Sequence, residues 1–242
     1  MISFENDYST GAHPRILEAL AATNLEPTPG YGGDRFCESA VAHIRAACDD
    51  ETADVFFLTG GTQTNAVVIS ALLAGHEGVI AADTGHIAVH EAGAIEATGH
   101  KVLTVPECDG KLRAAAVEAY LEAFYADASY THMVFPGMVF IAHPSELGTL
   151  YSLADLEELS APCRRHQIPL YLDGARLAYG LAAPDTDVTL ADIARLAHAF
   201  YLGGTKCGAL RGEAGVFPRG GLPRPPPPPA TQHGPPQANG RP

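Results

Sequence analysis

One lysine sits where an ordinary surface lysine has no reason to be. In "YLGGTKCGAL", Lys206 follows a short apolar run and is flanked by Gly203, Gly204, Thr205, Cys207 and Gly208. Small neighbours and a tight backbone deliver its amine into a confined space, where a primary amine is a candidate nucleophile toward a carbonyl carbon. A carboxylate closes a second apolar run: "IPLYLDGARL" carries Asp173 where an unpaired charge is costly, so a cationic partner is expected. Two partners suit it. Arg176 would make the pair structural, and a protonated heterocycle would make it functional. The third feature is "LTGGTQTN". Gly60 and Gly61 open a helix there and leave backbone N–H groups free to cradle a phosphate, with the Thr62 and Thr64 hydroxyls as further donors. The pattern is neither a Walker loop nor a dinucleotide fingerprint, so no nucleotide is indicated, and a plain glycine turn is the competing reading.

Amine, carboxylate and cradle together are what pyridoxal 5'-phosphate requires: a lysine for its aldehyde, an acid at its ring nitrogen and donors for its phosphate. On that reading Lys206 is the covalent anchor. "DTGHIAVHEAGA" adds His86 and His90 at i, i+4 spacing with Glu91 beside them. A zinc site needs a third ligand and the spacing is not H-E-x-x-H, so no metal is expected. His86, at a strand end, is read as stacking on the cofactor ring, and His90 as a polar helix residue.

These residues need a frame, and the rest of the chain describes one. The apolar runs "DVFFLTGG", "GVIAA", "HKVLTV", "GMVFIAH", "IPLYLDGA" and "AFYLGG" alternate with helical patterns such as "TQTNAVVISALLA", "KLRAAAVEAYLEAFYA", "SLADLEELSAPCRRH" and "TLADIARLA". Two further helices precede them, "PRILEALAATN" and "DRFCESAVAHIRAAC", the second opening on Asp34 as N-cap. Strands too apolar to alternate predict an α/β fold, a mostly parallel sheet covered by helices on both faces. Ligands of such sheets bind beyond the carboxyl ends of the strands. Those ends carry Gly60 to Thr62, Asp83 to His86, His143 to Ser145, Asp173 to Arg176 and Gly203 to Lys206.

From Pro218 onward the composition shifts to proline and glycine with almost no large apolar residue, which predicts a folded domain over 1–217 and a disordered tail over 218–242. The formal charge of -13 disfavours nucleic acid and anionic membranes as partners. No run approaches the roughly twenty apolar residues of a membrane span, and "MISFENDYST" is not a secretory start. Five scattered cysteines without a C-x-x-C pair read as reduced thiols. A cytoplasmic protein with a small-molecule partner is expected.

The motifs resemble those of the threonine aldolase and beta-eliminating lyase family of pyridoxal-phosphate enzymes. "NDYSTGAHPRILEAL", "TPGYGGD", "GGTQTN", "ADTGHIAVHEAGAIEATGHKV", "ELGTLYSLADLEELS", "LDGARL" and "YLGGTKCGAL" are similar to the family's motifs, in its order, over residues 3–217. The resemblance implies the large domain of the PLP-transferase fold, fold type I. It implies that Gly60, Gly61 and Thr62 hold the phosphate, that His86 stacks on the ring, that Asp173 pairs with the ring nitrogen and that Lys206 is the anchor. Arg176 would contact the cofactor's phenolic oxygen or the substrate carboxylate, and Asn6 would help hold that carboxylate.

The implied reaction cleaves threonine or a related β-hydroxy amino acid to glycine and an aldehyde, with His86 as base for the β-hydroxyl. A β-eliminating lyase would instead expel a β substituent. A homo-oligomer with shared sites is implied as well. Two departures stand out. Cys207 occupies a position where relatives usually carry asparagine. The family's smaller C-terminal domain, on the order of a hundred residues, is expected to be absent, with the proline-rich stretch in its place. A shifted or shortened reading frame in GC-rich DNA is the expected origin, and a non-catalytic remnant is the alternative to an active lyase.

Overall fold

In the computed structural model, which describes residues 5–222, the six apolar runs become strands: β1 (Asp54–Leu58), β2 (Glu77–Ala82), β3 (Val102–Val105), β4 (Phe135–Ala142), β5 (Leu170–Asp173) and β6 (Ala199–Gly203). A seventh, β7 (Glu213–Phe217), completes one sheet in the order β1-β7-β6-β5-β4-β2-β3. Strands β2 to β6 pair in parallel, while β7 is antiparallel to both of its neighbours, β1 and β6. Six strands therefore point one way, and β7 alone brings its amino end to the edge where the others finish. The sequence does not announce β7, because Glu213, Ala214 and Gly215 are poor strand formers. Pairing on both sides defines it instead.

Alternation along the strands divides the interior into two cores. Ile80, Val139, Ile141, Leu170, Leu172 and Phe200 face one cluster, and Val79, Ala81, Met138, Phe140, Tyr171 and Tyr201 face the other. The first cluster is closed by α5 (Ala114–Ala126), α6 (Leu153–Arg165), α7 (Leu177–Ala182) and α8 (Leu190–Leu196), the second by α3 (Gly61–Leu72) and α4 (His86–Val89). This is the two-sided cover that near-continuous apolar strands require. Local signals set the helix starts. Asp34, 1% exposed, caps α2 (Arg35–Cys48) by accepting from the Phe36 and Cys37 amides at 2.9 and 3.0 Å. Ser152 with Asp155, and Thr189 with Asp192, form capping boxes on α6 and α8. The amino-terminal helix α1 (Pro14–Thr23) forms as its spacing predicts but buries none of its residues.

The composition break at Pro218 falls directly after β7. Pro218–Gly220 make a single 3-10 turn with Pro218 buried, the Arg219 amide donates to Asp50 at 2.6 Å, and its guanidinium donates to the Ala194 carbonyl at 2.7 Å. These residues close the end of α8. Residues 223–242 of the expected tail lie outside the described residues. No described helix is long and apolar enough to cross a membrane.

β3 lies outside β2, whereas β4, β5 and β6 continue on its other side. The direction of winding switches between β2 and β4, the place where an open α/β sheet forms a crevice beyond its strand ends.

Candidate active site

A cavity of about 320 Å³ opens at that edge, lined by Gly60, Gly61, Thr62, His86, Asp173, Arg176 and Lys206. These come from the β1–α3 turn, the start of α4, the end of β5 with the turn after it, and the β6–β7 loop. The spread strand ends of the sequence thus converge on one hollow. Asn6 does not join them: its Oδ1 accepts from the Tyr8 amide at 3.0 Å and caps a local turn. The amino-terminal segment contributes Tyr8 to the lining in its place.

At one end of the cavity α3 begins on Gly60 without any side-chain cap, so its first-turn amides lack a capping oxygen. A Cβ on Gly61 would lie 2.8 Å from the Tyr201 hydroxyl, so only glycine keeps this floor open. Thr62 faces the same space. Thr64 does not, contrary to its expected role as a donor: its hydroxyl is turned inward to the Gly60 carbonyl at 2.9 Å. Uncapped amides at the start of a twelve-residue helix, over a floor cleared of side chains, fit a phosphate group.

Asp173, 4% exposed, accepts from the Ala175 amide at 2.9 Å and from Asn65 Nδ2 at 2.9 Å. Asn65 gives its second N–H to Glu91 at 2.7 Å, and its carbonyl accepts from the Tyr171 hydroxyl at 2.9 Å. Both of its N–H groups are used in fixing two buried carboxylates. Glu91 in turn binds His86 Nδ1 at 2.8 Å. That bond, opposed by burial and helped by Glu146, Glu91 and Asp173, raises the His86 pKa above its ordinary value. The imidazole carries its Nδ1 proton toward Glu91, leaving Nε2 as its second functional atom. Arg176 does not pair with Asp173. Its guanidinium binds Asp7, so the structural pairing considered for Asp173 is not formed and the carboxylate faces the cavity without a cationic side chain bound to it. An acid held by donors and offered to a cavity fits a protonated ring nitrogen.

Lys206 occupies a one-turn 3-10 helix, Thr205–Cys207, in the loop joining β6 to β7. Gly203 lets β6 pass directly against the Ala175 backbone, where a Cβ would collide. The loop is tied at its root: the Gly204 amide donates to the Gly212 carbonyl at 3.0 Å and to Glu213 Oε2 at 3.0 Å, and the Gly212 amide donates to Thr205 Oγ1 at 3.2 Å. The Lys206 carbonyl accepts from the Tyr179 hydroxyl at 2.8 Å, and its Nζ lies 6.0 Å from the centre of the Tyr8 ring. Burial raises the Cys207 thiol pKa. His86 and His90 rings lie 5.5 Å apart, and His90 is the exposed C-cap of α4. Among the described residues no group of three His, Cys, Asp or Glu side chains is placed to hold a metal.

Sequence reasoning did not single out Asn65, Tyr8, Tyr201 or Glu213. Asn65 stands four residues beyond Gly61, one turn along the same helix, which was a usable signal. The other three depend on tertiary contacts.

With this geometry in place, the family profile described as beta-eliminating lyase matches residues 4–212. The chain belongs to the threonine aldolase and beta-eliminating lyase family. A low specificity L-threonine aldolase from Pseudomonas sp. (strain NCIMB 10558) is 31% identical over 219 residues, covering 88% of this chain and 61% of the relative. The chain thus spans about three fifths of the length of the curated relatives it matches, 61% in each case. The structure of a threonine aldolase from Leishmania major superposes with a TM-score of 0.94 at 46% identity, covering 99% of this chain and 69% of that one. Cystalysin from Treponema denticola, whose structure contains pyridoxal 5'-phosphate, shares the fold alone: TM-score 0.62, 13% identity, 88% of this chain and 54% of its own. The architecture of this family member is that of the fold type I large domain.

Proposed function

We propose that the chain is a pyridoxal-phosphate-dependent lyase that cleaves threonine or a related β-hydroxy amino acid to glycine and an aldehyde. The observation that carries this reading is that Lys206, in the loop after β6, and Asp173, at the end of the adjacent strand β5, open on the same cavity. Pyridoxal 5'-phosphate, when bound, supplies an electron sink for the substrate's α carbon. Asp173 would hold the ring-nitrogen proton, the α3 amides with Gly61 and Thr62 the phosphate, and Lys206 the cofactor by its amine. His86, steered by Glu91, would stack on the ring and take the β-hydroxyl proton at Nε2, directly or through water. Arg176 would bind the substrate carboxylate or the cofactor's phenolic oxygen. The cofactor reading is supported by the donor and acceptor set of the cavity and by the cofactor in cystalysin.

Incubation of the purified protein with pyridoxal phosphate and L-threonine or L-allo-threonine tests it: glycine and acetaldehyde are expected in equal amounts. A 2-oxo acid with ammonia would instead mark β-elimination, and no product from either substrate would overturn the reading. A cytoplasmic homo-oligomer is part of the same proposal. The unburied face of α1, with Leu17 49% and Leu25 93% exposed nearby, supports self-association. Sedimentation at equilibrium would show more than one chain per particle.

A further inference from the structure

Glu213 lines the cavity with Glu146 and Arg211, charged residues that none of these roles uses, and of the three it is the buried one. It is 5% exposed, begins the inverted strand β7, and stands opposite Gly203 on β6 and Leu58 on β1. Inversion is what brings it here: a parallel strand would present its other end. Its Oε2 accepts the Gly204 amide at 3.0 Å, two residues before Lys206, and both Glu213 and Lys206 line the cavity. A buried carboxylate that accepts a backbone N–H at the root of a short loop removes that loop's freedom to rotate about its stem. Resting on the reading of Lys206 as the anchor, we propose that Glu213 is a positioning residue for Lys206. Its carboxylate fixes the loop that presents the amine, and its charge sets how readily that amine reacts.

The surroundings give the charge a neutral-range switch. Burial pushes the Glu213 carboxyl up to about 7, against the Thr205 and Gly204 hydrogen bonds, with Asp173 adding to the rise and Lys206 opposing it. The titratable groups facing it are Asp173 and Tyr171 from β5, Tyr201 from β6, and Lys206 and Cys207 from the loop. On β1 the carboxyl of Asp54 lies at the far end of the strand, opposite Phe217. Helix α3 packs on β7 without any titratable side chain. Above neutrality Glu213 puts a carboxylate charge at the root of the Lys206 loop; below it the acid is neutral.

Acylation of Lys206 by acetic anhydride, quantified on the mapped peptide across pH in the full chain without cofactor, reads the charge directly. Hydrogen exchange of the 204–208 amides reads the loop. Glu213→Gln is expected to label like the parent below about pH 6 and several-fold faster above about pH 8, with the loop amides still protected. Glu213→Leu is expected to speed exchange of those amides by about tenfold or more and to weaken pyridoxal phosphate capture by a similar factor. Identical acylation profiles for the parent and Glu213→Gln would overturn the proposal. So would unchanged exchange and capture in a folded Glu213→Leu. If Glu213→Leu does not fold, the Glu213→Gln profile decides alone. A parent chain that captures no pyridoxal phosphate would sink the proposed function while leaving the acylation and exchange results to judge Glu213.

Discussion

Asn65 decides the charge arrangement of the site. A single amide gives one N–H to Glu91 and one to Asp173, and the Tyr171 hydroxyl fixes which way it points. Without it, two buried carboxylates lose their shared donor and the Tyr171 hydroxyl loses its acceptor. Replacing it by a shape-similar leucine, Asn65→Leu, is therefore expected to destabilise the fold by about 2–5 kcal/mol, read from urea unfolding at pH 7. A change below about 0.5 kcal/mol would mean that the network is slack. A positioning role for Glu91 is checked separately. Glu91→Gln leaves an acceptor for His86 but removes the charge that first raises its pKa. The NMR titration of His86 is expected to shift downward in that variant, and an unmoved midpoint would contradict the coupling.

At the scale of elements, the cavity is a product of close packing between strand ends. Gly61 starts α3 directly beneath the Tyr201 hydroxyl of β6. Gly61→Ala is expected to cost about 1–3 kcal/mol of stability by overpacking and to weaken phosphate-dependent binding. Gly61→Ala combined with Tyr201→Phe, which removes the colliding oxygen, is expected to recover most of that stability. Failure of the double variant to recover would place the strain elsewhere. Much of this layout was legible in the sequence, since glycines, Asp173, His86 and Lys206 each follow an apolar run, and a parallel sheet gathers such ends at one edge. What was not legible follows from pairing across distance. β7 has no strand-like composition and exists because β1 and β6 flank it, so the arrival of Glu213 at the site could not be read from neighbours in sequence. Thr64 was misread because its hydroxyl can satisfy its own helix start as well as an outside anion. Asn6 was displaced by the contacts of its neighbours, Asp7 with Arg176 and Tyr8 with the cavity.

For the whole molecule, buried acids shape the dependence of stability on pH. Glu213 has a folded pKa of about 7, above its ordinary 4.5. Its contribution is fully present below pH 4.5 and is lost as pH rises through 7, a loss of about 3 kcal/mol. His86, also raised, contributes below 6.5 and loses that contribution as pH rises through its folded value. Asp34 and Asp155 work in the other direction. Burial opposes the charge of each, but amide donors at Asp34 and the Lys111 ion pair at Asp155 hold both below 3.8, so their contribution is lost as the solution becomes strongly acidic. Maximum stability is therefore expected in mildly acidic solution, with a decline toward pH 8 that Glu213→Gln flattens. Urea unfolding at intervals from about pH 4 to pH 8 checks this. A parent curve that rises through neutrality would contradict it.

The account rests on an amine and an acid offered to one bound ring. Borohydride reduction of the protein after incubation with pyridoxal 5'-phosphate, followed by peptide mapping, tests this most directly. The pyridoxyl group is expected on Lys206 in the parent, and on no residue in Lys206→Ala. Modification spread over other lysines, or a Lys206 peptide left at its unmodified mass, would contradict the account.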